Sequence, residues 1–507
     1  FWRREYVPAQ TTLLVIGDFP VEAVEAVIKA RFGSWQGAPA EPQPPAGPFD
    51  PKAKPREDVF IDQALSERIT VTRHGPWLEE PDSLAQRREN LLRQVGYGIL
   101  NRRLLRRTRE ANPPFRGAGV STSDVFQEGR STNLAVETVD GGWKRGLLAA
   151  TEEYRRALEF GFSQAEVAEQ IANSRSAARN AAASESTRSH GTLLGAVIAL
   201  VTNDIVPDKP SRSLERLEAF IPQITPDAVL AALKRELVPL EQPLIRFQGR
   251  REPEGGAKAL RDAWDAASKA KVTRPESKAA GAFAYTTFGP AGQVASDVTE
   301  PRYGIRQVRF ANGVMLNLKR TELTKDRIWV SLSVDGGNML ATRENPLATQ
   351  MMGVFSQGGL GKHSRDELDS LLAGRTVGTG MGAGAETFAA GATTTPADLE
   401  LQLQVLAAQL IDPGYRPEGE VLFRQTINNF FAAIGATPDS AFSAAFGGIL
   451  SDQDPRFSLG KVEDYRKLTF AQLKDTVADR LGKGAIELAL VGDFDEAQAI
   501  ALVGKTL

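Results

Sequence analysis

The sequence predicts an α+β protein in which mixed and antiparallel sheets pack against helices. Three observations carry that reading. An apolar run ending in Gly-Asp-Phe and followed by a helical pattern occurs twice, at Leu13 to Phe19 and again at Leu488 to Phe494. Between Val59 and Gly249, strand-like stretches give way to a block of helical periodicity, the order expected of α+β rather than α/β architecture. Asn312-Gly313 stands between two alternating runs, a hairpin signal. A chain of 507 residues has room for about three domains.

In chain order, Phe1 to Tyr6 reads as the tail of a helix, and Leu13 to Gly17 as a buried strand. Asp18 is placed to cap a helix whose Val24, Val27, Ile28 and Phe32 share one face. Residues 1–37 are too few to enclose a core, so they are expected to be the end of a domain begun upstream. A Pro-rich linker, 38–58, follows. The block 59–249 opens with Ile69 and Val71 alternating with Thr70 and Thr72, a half-buried strand. A long amphipathic helix covers roughly Ser83 to Arg109; its Arg102 to Arg107 run could bind an anion, but its pattern reads rather as a solvated face beside a core Leu pair. Paired strands near Phe115–Phe126 and Asn133–Val139 precede helices at Trp143–Phe160, Ser163–Ala182 and Pro226–Leu237. Pro243 to Phe247 closes the block as a strand.

Residues 250–305 read as a second linker holding one helix, Ala257–Ala270. Its Gly255-Gly256 and Gly289-Pro290-Ala291-Gly292 are the expected hinge points between two separately cored lobes. The block 306–507 begins with the Asn-Gly hairpin, expected as a type I′ turn. Ile328, Val330, Leu332 and Val334 alternate as a strand; helices are expected at Pro346–Phe355, Ser364–Ala373 and Pro396–Leu410, with a Gly-rich strand pair between the last two. The second Gly-Asp-Phe unit ends the chain, with Ala499, Leu502, Val503 and Leu507 on one helical face. The two copies are expected to occupy equivalent places in two similar sheets.

Composition removes several classes of function. Lys and Arg number 61 against 63 Asp and Glu, so no basic excess points to nucleic acid. The longest strongly apolar stretch, near Leu193–Val201, is too short to span a bilayer. Without cysteine there is no disulfide, thiolate metal site or Cys nucleophile. The three histidines, His74, His190 and His363, lack the close helical spacing that brings two imidazoles to one metal. Gly358-Gly359-Leu360-Gly361-Lys362-His363-Ser364 looks like a phosphate loop but has His between the Lys and the Ser. It reads instead as a turn into a helix capped by Ser364. Ser184, Ser186 and Ser189 lie near His190 without a nucleophile elbow around them. Catalytic, cofactor-binding and metal-ligating residues are therefore expected to be none in this chain.

Three stretches resemble the insulinase-like, or pitrilysin, zinc peptidases. Tyr6-Val7-Pro8 with Leu14 to Phe19 and Phe32-Gly33-Ser34-Trp35 resembles the end of that family's catalytic domain. Phe310-Ala311-Asn312-Gly313-Val314 resembles the hairpin opening each half. Leu399-Glu400-Leu401-Gln402-Leu403 with Ala408 and Asp412-Pro413-Gly414-Tyr415 resembles the helix and turn after the inner strands. The resemblance implies four repeated metallopeptidase-type domains in two halves around a chamber, joined by a linker. Here 1–37 would be the end of the first domain, 59–249 the second, 250–305 the interhalf linker and 306–507 a metal-free third. The His-x-x-Glu-His motif and its later Glu ligand would lie upstream of Phe1. Around Thr349 to Gly353, and on Arg424 to Phe430, no His or carboxylate stands where ligands would be. The implied parent is a zinc metalloendopeptidase that degrades or processes unfolded peptides bound extended along a sheet edge. Zinc is expected in the intact parent and not in this chain, which is expected to be inactive alone. A non-catalytic partner subunit or structural member of the family is the alternative. The expected partners are peptide substrates, with a possible homo- or hetero-dimer, no nucleic acid and no membrane insertion. A periplasmic location follows the family's bacterial habit.

Overall fold

A computed structural model describes residues 2–39, 50, 54–275 and 281–507. Most of the Pro-rich linker expected at 38–58 lies outside the described residues. Two sheets organise the rest. The first contains β1 (Glu57–Ile61), β2 (Arg68–Pro76), β3 (Gly117–Val125), β4 (Gly129–Glu137) and β5 (Leu244–Gly249), in the order β1-β5-β2-β4-β3. The second contains β6 (Val294–Glu300), β7 (Ile305–Phe310), β8 (Met315–Arg320), β9 (Ile328–Asp335), β10 (Gly382–Ala383), β11 (Thr387–Thr394) and β12 (Ile486–Gly492), in the order β10-β11-β9-β12-β8-β7-β6.

The internal repeat is visible in the ladders. In the first sheet β5 pairs parallel with β1 and antiparallel with β2, and β2 and β3 flank β4 antiparallel. In the second, β12 pairs parallel with β8 and antiparallel with β9, and β9 and β10 flank β11 antiparallel. Each unit places five α-helices between its fourth and fifth equivalent strands, from Trp143–Phe160 to Pro226–Glu236 and from Leu399–Ile411 to Phe470–Lys483. Each is followed by one more helix, Gly256–Lys269 or Glu496–Thr506.

This topology corrects the expected pairing of the two Gly-Asp-Phe copies. Among the described residues the counterpart of β12 and its helix is β5 with Gly256–Lys269, while the first copy, Leu13 to Phe32, joins neither sheet. Residues Leu13 to Phe19 form no strand, and Leu13 and Val15 are exposed. Helix Val21–Phe32 carries no buried residue, and Val27 and Phe32 face outward. A strand exists only as part of a ladder, and among the described residues none offers this run a partner. The capping carboxylates also differ. Pro20 precedes the first helix without a side-chain cap, and Asp495, not Asp493, accepts from Gln498 N in the second. The second copy does pack: Ala499 and Val503 are fully buried, and Leu502 and Leu507 lie against the core.

Period-two burial is clearest in β9, where Ile328, Val330, Leu332 and Val334 enter the core and the alternate residues do not. Two apolar cores result. One gathers Ile69, Leu134, Trp143 and Phe247; the other gathers Leu316, Leu332, Phe388 and Phe470. Helix Leu84–Arg107 starts at Ser83, whose side chain accepts from Gln86 N. The hairpin at Asn312-Gly313 is a three-residue loop rather than a type I′ turn. Gly313 N donates to Phe310 O, Phe310 N donates to Val314 O, and only Gly313 takes positive φ, the type I plus bulge geometry. The helix expected at Pro346–Phe355 is a 3₁₀ run, Gln350–Gly358. Gly353 inside it and Gly358-Gly359 at its end leave it little α-helical propensity.

Much of 250–305 is held by one unit or the other. Helix Gly256–Lys269 buries Leu260, Trp264 and Ala267 in the first core. Arg156 Nε donates to Thr273 O, and the Arg274 guanidinium lies over Phe160. From Phe283 onward the chain belongs to the second unit, and Gly292 N donates to Gly504 O. Of the glycines expected as hinges, Gly255-Gly256 stand at the start of that packed helix and Gly292 is tied to the second unit, while Gly255 and Gly289 are themselves exposed. The crossing between units is confined to the stretch from Arg274 to Phe283, of which 276–280 lie outside the described residues.

Candidate functional site

In the second unit, the stretch Thr349 to Gly353, where the resemblance implies a motif would stand, falls at the start of the 3₁₀ run Gln350–Gly358. Its Met351, Met352 and Phe355 are buried in the core. On helix Pro417–Ala433, Phe423 is buried, and Glu420 accepts from Phe470 N and Arg424. Thioether and phenyl groups packed on one another in a core supply none of the imidazole, thiolate or carboxylate donors that hold zinc. Among the described residues no group of three or more His, Asp or Glu is arranged to hold a metal. These residues do not fit zinc.

The histidines do not converge. His74 is exposed on β2, and His190 begins helix His190–Asn203, which Ser189 caps. His363 is buried, and its Nε2 accepts from Ala284 N at 2.9 Å. Burial holds this imidazole below its ordinary pKa, in keeping with the neutral form that such an acceptor requires. Ser184 donates to Asn180 O, so these serines serve helix ends.

The Gly-rich segment is a clasp, not a phosphate loop. Every N–H from Gly359 to His363 is committed: to Ser356 O, His363 O, Asp412 O, the Tyr285 hydroxyl and Leu360 O in turn. Its carbonyls point inward. Arg416 donates to Gly358 O, Leu360 O, His363 O and Gly361 O at 2.5–3.0 Å. Ser364 then opens helix Arg365–Leu371 with a capping box closed by Glu367. The incoming chain is pinned here: Phe283 stacks on His363, and Tyr285 donates to Asp412 Oδ2 at 2.6 Å. Burial and then the bond to Asp412 push the Tyr285 phenol up to about 12 from an ordinary value near 10. Its folded form therefore favours the neutral phenol, so the stability it adds is complete below pH ~10 and is lost as pH rises through ~12. In an alkaline difference titration of Tyr285→Phe against the parent chain, the missing phenolate step is expected near pH 12. A missing step near pH 10 would show that the clasp does not hold this hydroxyl.

The Arg102 to Arg107 run is not the solvated face that its charge pattern suggested. It forms half of a seam between the units. Arg102 lies 2.9 Å from Asp366, 3.3 Å from Asp369 and 3.4 Å from Glu169. Arg106 approaches Asp366 at 3.1 Å, and Arg109 approaches Asp369 at 2.8 Å. Arg103 turns inward instead, to Glu166 and Gly161 O. Hydrogen bonds extend the seam: Ser370 to Glu169, Gly374 N to Asn173, and Asn180 to Thr376. At its far end Asn429, on the helix expected to offer a third ligand, accepts from Ser66 and Arg250. None of these partnerships is readable from spacing, because the partners lie from 58 to 363 residues apart.

Residues 1–174 match the family described as the Peptidase M16 inactive domain. The chain is 23% identical over 470 residues to the chloroplastic stromal processing peptidase of Arabidopsis thaliana, covering 81% of this chain and 36% of that protein. It is 22% identical over 268 residues to protein YhjJ of Salmonella typhimurium, covering 52% of this chain and 53% of YhjJ. Among solved structures it is similar to the ferredoxin protease FusC in complex with Arabidopsis ferredoxin, with TM-score 0.59 at 16% identity, over 97% of this chain and 55% of that one. That likeness is one of fold. The chain thus spans about a third of the length of the stromal processing peptidase and about half that of YhjJ.

Proposed function

We propose that this chain, a relative of the insulinase-like (pitrilysin) peptidases, forms the non-catalytic wall of a zinc metalloendopeptidase acting on unfolded peptides in an enclosed chamber. The observation that carries the reading is the pair of units with one strand order, in which the second fills the motif position with Met351, Met352 and Phe355. A zinc site would then come from residues outside these 507, upstream of Phe1. Likeness to a processing peptidase over most of the chain supports peptides as the substrate class. Exposed apolar side chains on equivalent helices, such as Ile198 and Val201 on His190–Asn203 and Phe442 and Ile449 on Pro438–Leu450, suit cover by further units of the same kind. Among the described residues no helix is long and apolar enough to cross a membrane. The domain limits 1–37, 38–58, 59–249, 250–305 and 306–507, the periplasm as compartment and a homo- or hetero-dimer complete the proposal.

The test compares this chain with the full open reading frame. The 507-residue chain is expected to retain no stoichiometric zinc after dialysis and to leave an unfolded peptide intact. The full-length protein is expected to cleave the peptide and to lose that activity with chelator. Chelator-sensitive cleavage by the 507-residue chain alone would defeat the reading. One observation favours a second reading, a non-catalytic partner subunit: the matched family is an inactive domain. A full-length protein that cleaves only when mixed with a separate subunit would select it.

A further inference from the structure

The seam encloses a cavity of about 490 Å³ that the proposed peptidase role does not use. Arg106, Arg109 and Arg116 line it from the first unit, and Arg365 and Arg416 from the second. Only two carboxylates, Asp366 and Glu418, share the lining. Asp369, outside the lining, pairs with Arg109 at 2.8 Å and with Arg365 at 2.9 Å, so the excess of positive charge rests chiefly on Arg116 and Arg416. Part of that excess is uncompensated. Arg116 Nε donates to Thr138 O, and Arg116 has no carboxylate partner among the described residues. Arg106 Nε is buried and makes no hydrogen bond, although it lies 3.1 Å from Asp366 Oδ2. Arg365 Nε is also buried without a hydrogen bond, although the same guanidinium pairs with Asp369 at 2.9 Å. Guanidinium groups in this state call for oxygen acceptors. The same lining contains one opposite need. Glu418 Oε2 is buried with no donor.

We propose that this cavity binds a hydrogen-phosphate group, whose oxygens accept from the arginines while its remaining O–H donates to Glu418. A fully ionised sulfate offers the acceptors but no donor, so Glu418 would repel it. The bound group would bridge the two units, because arginines from both line the cavity. The shared chemistry is a singly protonated phosphate, either free or carried as a monoester.

Calorimetric titration of the 507-residue chain near pH 6, where about half of a monoester still carries its O–H, tests this, with sulfate at matched ionic strength as the comparison. Saturable binding of inorganic phosphate or phosphoserine is expected, roughly ten-fold or more tighter than sulfate. The tighter of the two identifies whether free phosphate or a monoester is the source. Arg116→Ala should weaken phosphate roughly ten-fold while leaving the circular dichroism unchanged, since that side chain anchors only one carbonyl. Glu418→Gln should narrow the phosphate-over-sulfate preference. Absence of saturable heat with either phosphate probe, equal affinity for sulfate, or an Arg116→Ala variant that binds as the parent does would each overturn the site.

Discussion

Asp366→Arg should open the seam. The native carboxylate lies within ion-pair distance of Arg102, Arg106 and Arg109. Replacing it removes three attractions and adds a fourth guanidinium among three. These pairs are only partly buried, so the lost interaction is set at roughly 2–3 kcal/mol, below the 3–5 of a fully buried pair. Each unit keeps its own core, so both should stay folded while their contact fails. Scattering should report a larger radius of gyration for the variant, and the parent should approach it as salt screens the pairs. Adding Arg102→Asp should restore part of the compact form. A variant as compact as the parent in low salt would show that the apolar and hydrogen-bonded parts of the seam suffice. This experiment also locates the motion expected of the linker. Replacing Gly292 by Ala should not alter interlobe movement, because its N–H is tied to Gly504 O within the second unit.

Arg416→Ala should unfasten the clasp. One guanidinium donates to four carbonyls of the Gly-rich segment. Hydrogen bonds to a charged donor contribute about 1.5–3 kcal/mol each, and the four share one side chain, so a total loss of about 3–4 kcal/mol is expected. Thermal unfolding should show the second unit melting earlier. Protection against hydrogen exchange should fall first at Leu360 to His363 and at Ala284, whose N–H depends on His363. Arg416→Lys should recover little, since a point-charge ammonium cannot reach four divergent acceptors. An unchanged melting temperature in Arg416→Ala would refute the account of the clasp.

What the sequence made legible was local. Ser83 and the apolar spacing behind it announced helix Leu84–Arg107, and alternation announced β9. β1 passed unnoticed because Glu57 to Ile61 is short and lies at a sheet edge. Helix His190–Asn203 was seen only as an apolar stretch near Leu193. Apolar residues fall on all its sides, so no amphipathic stripe marks it. Leu13 to Gly17 was misread for the converse reason: its pattern suits a strand, but strand formation depends on neighbours that a pattern does not contain. The seam was invisible because charge on a helix resembles a solvated face until Asp366 and Asp369 arrive from the other unit. For the zinc position, the absence of ligand residue types was plain in the sequence, whereas the apolar packing of Met351 and Met352 needed the fold.

The ladders around β5 and β12 also govern how the chain can assemble. The last strand of each unit inserts between two earlier ones, β5 between β1 and β2 and β12 between β8 and β9, pairing parallel with one and antiparallel with the other. Until that strand exists, β1 has no neighbour among the described strands, and β8 and β9 have an open gap between them. During synthesis neither sheet can close before nearly all of its unit has left the ribosome, and the entropy of closing so long a loop is met before the pairing rewards it. Folding of each unit should therefore be slow and late. A nascent chain stopped just short of Ile486 would expose two unpaired strand edges, the form most in need of a chaperone.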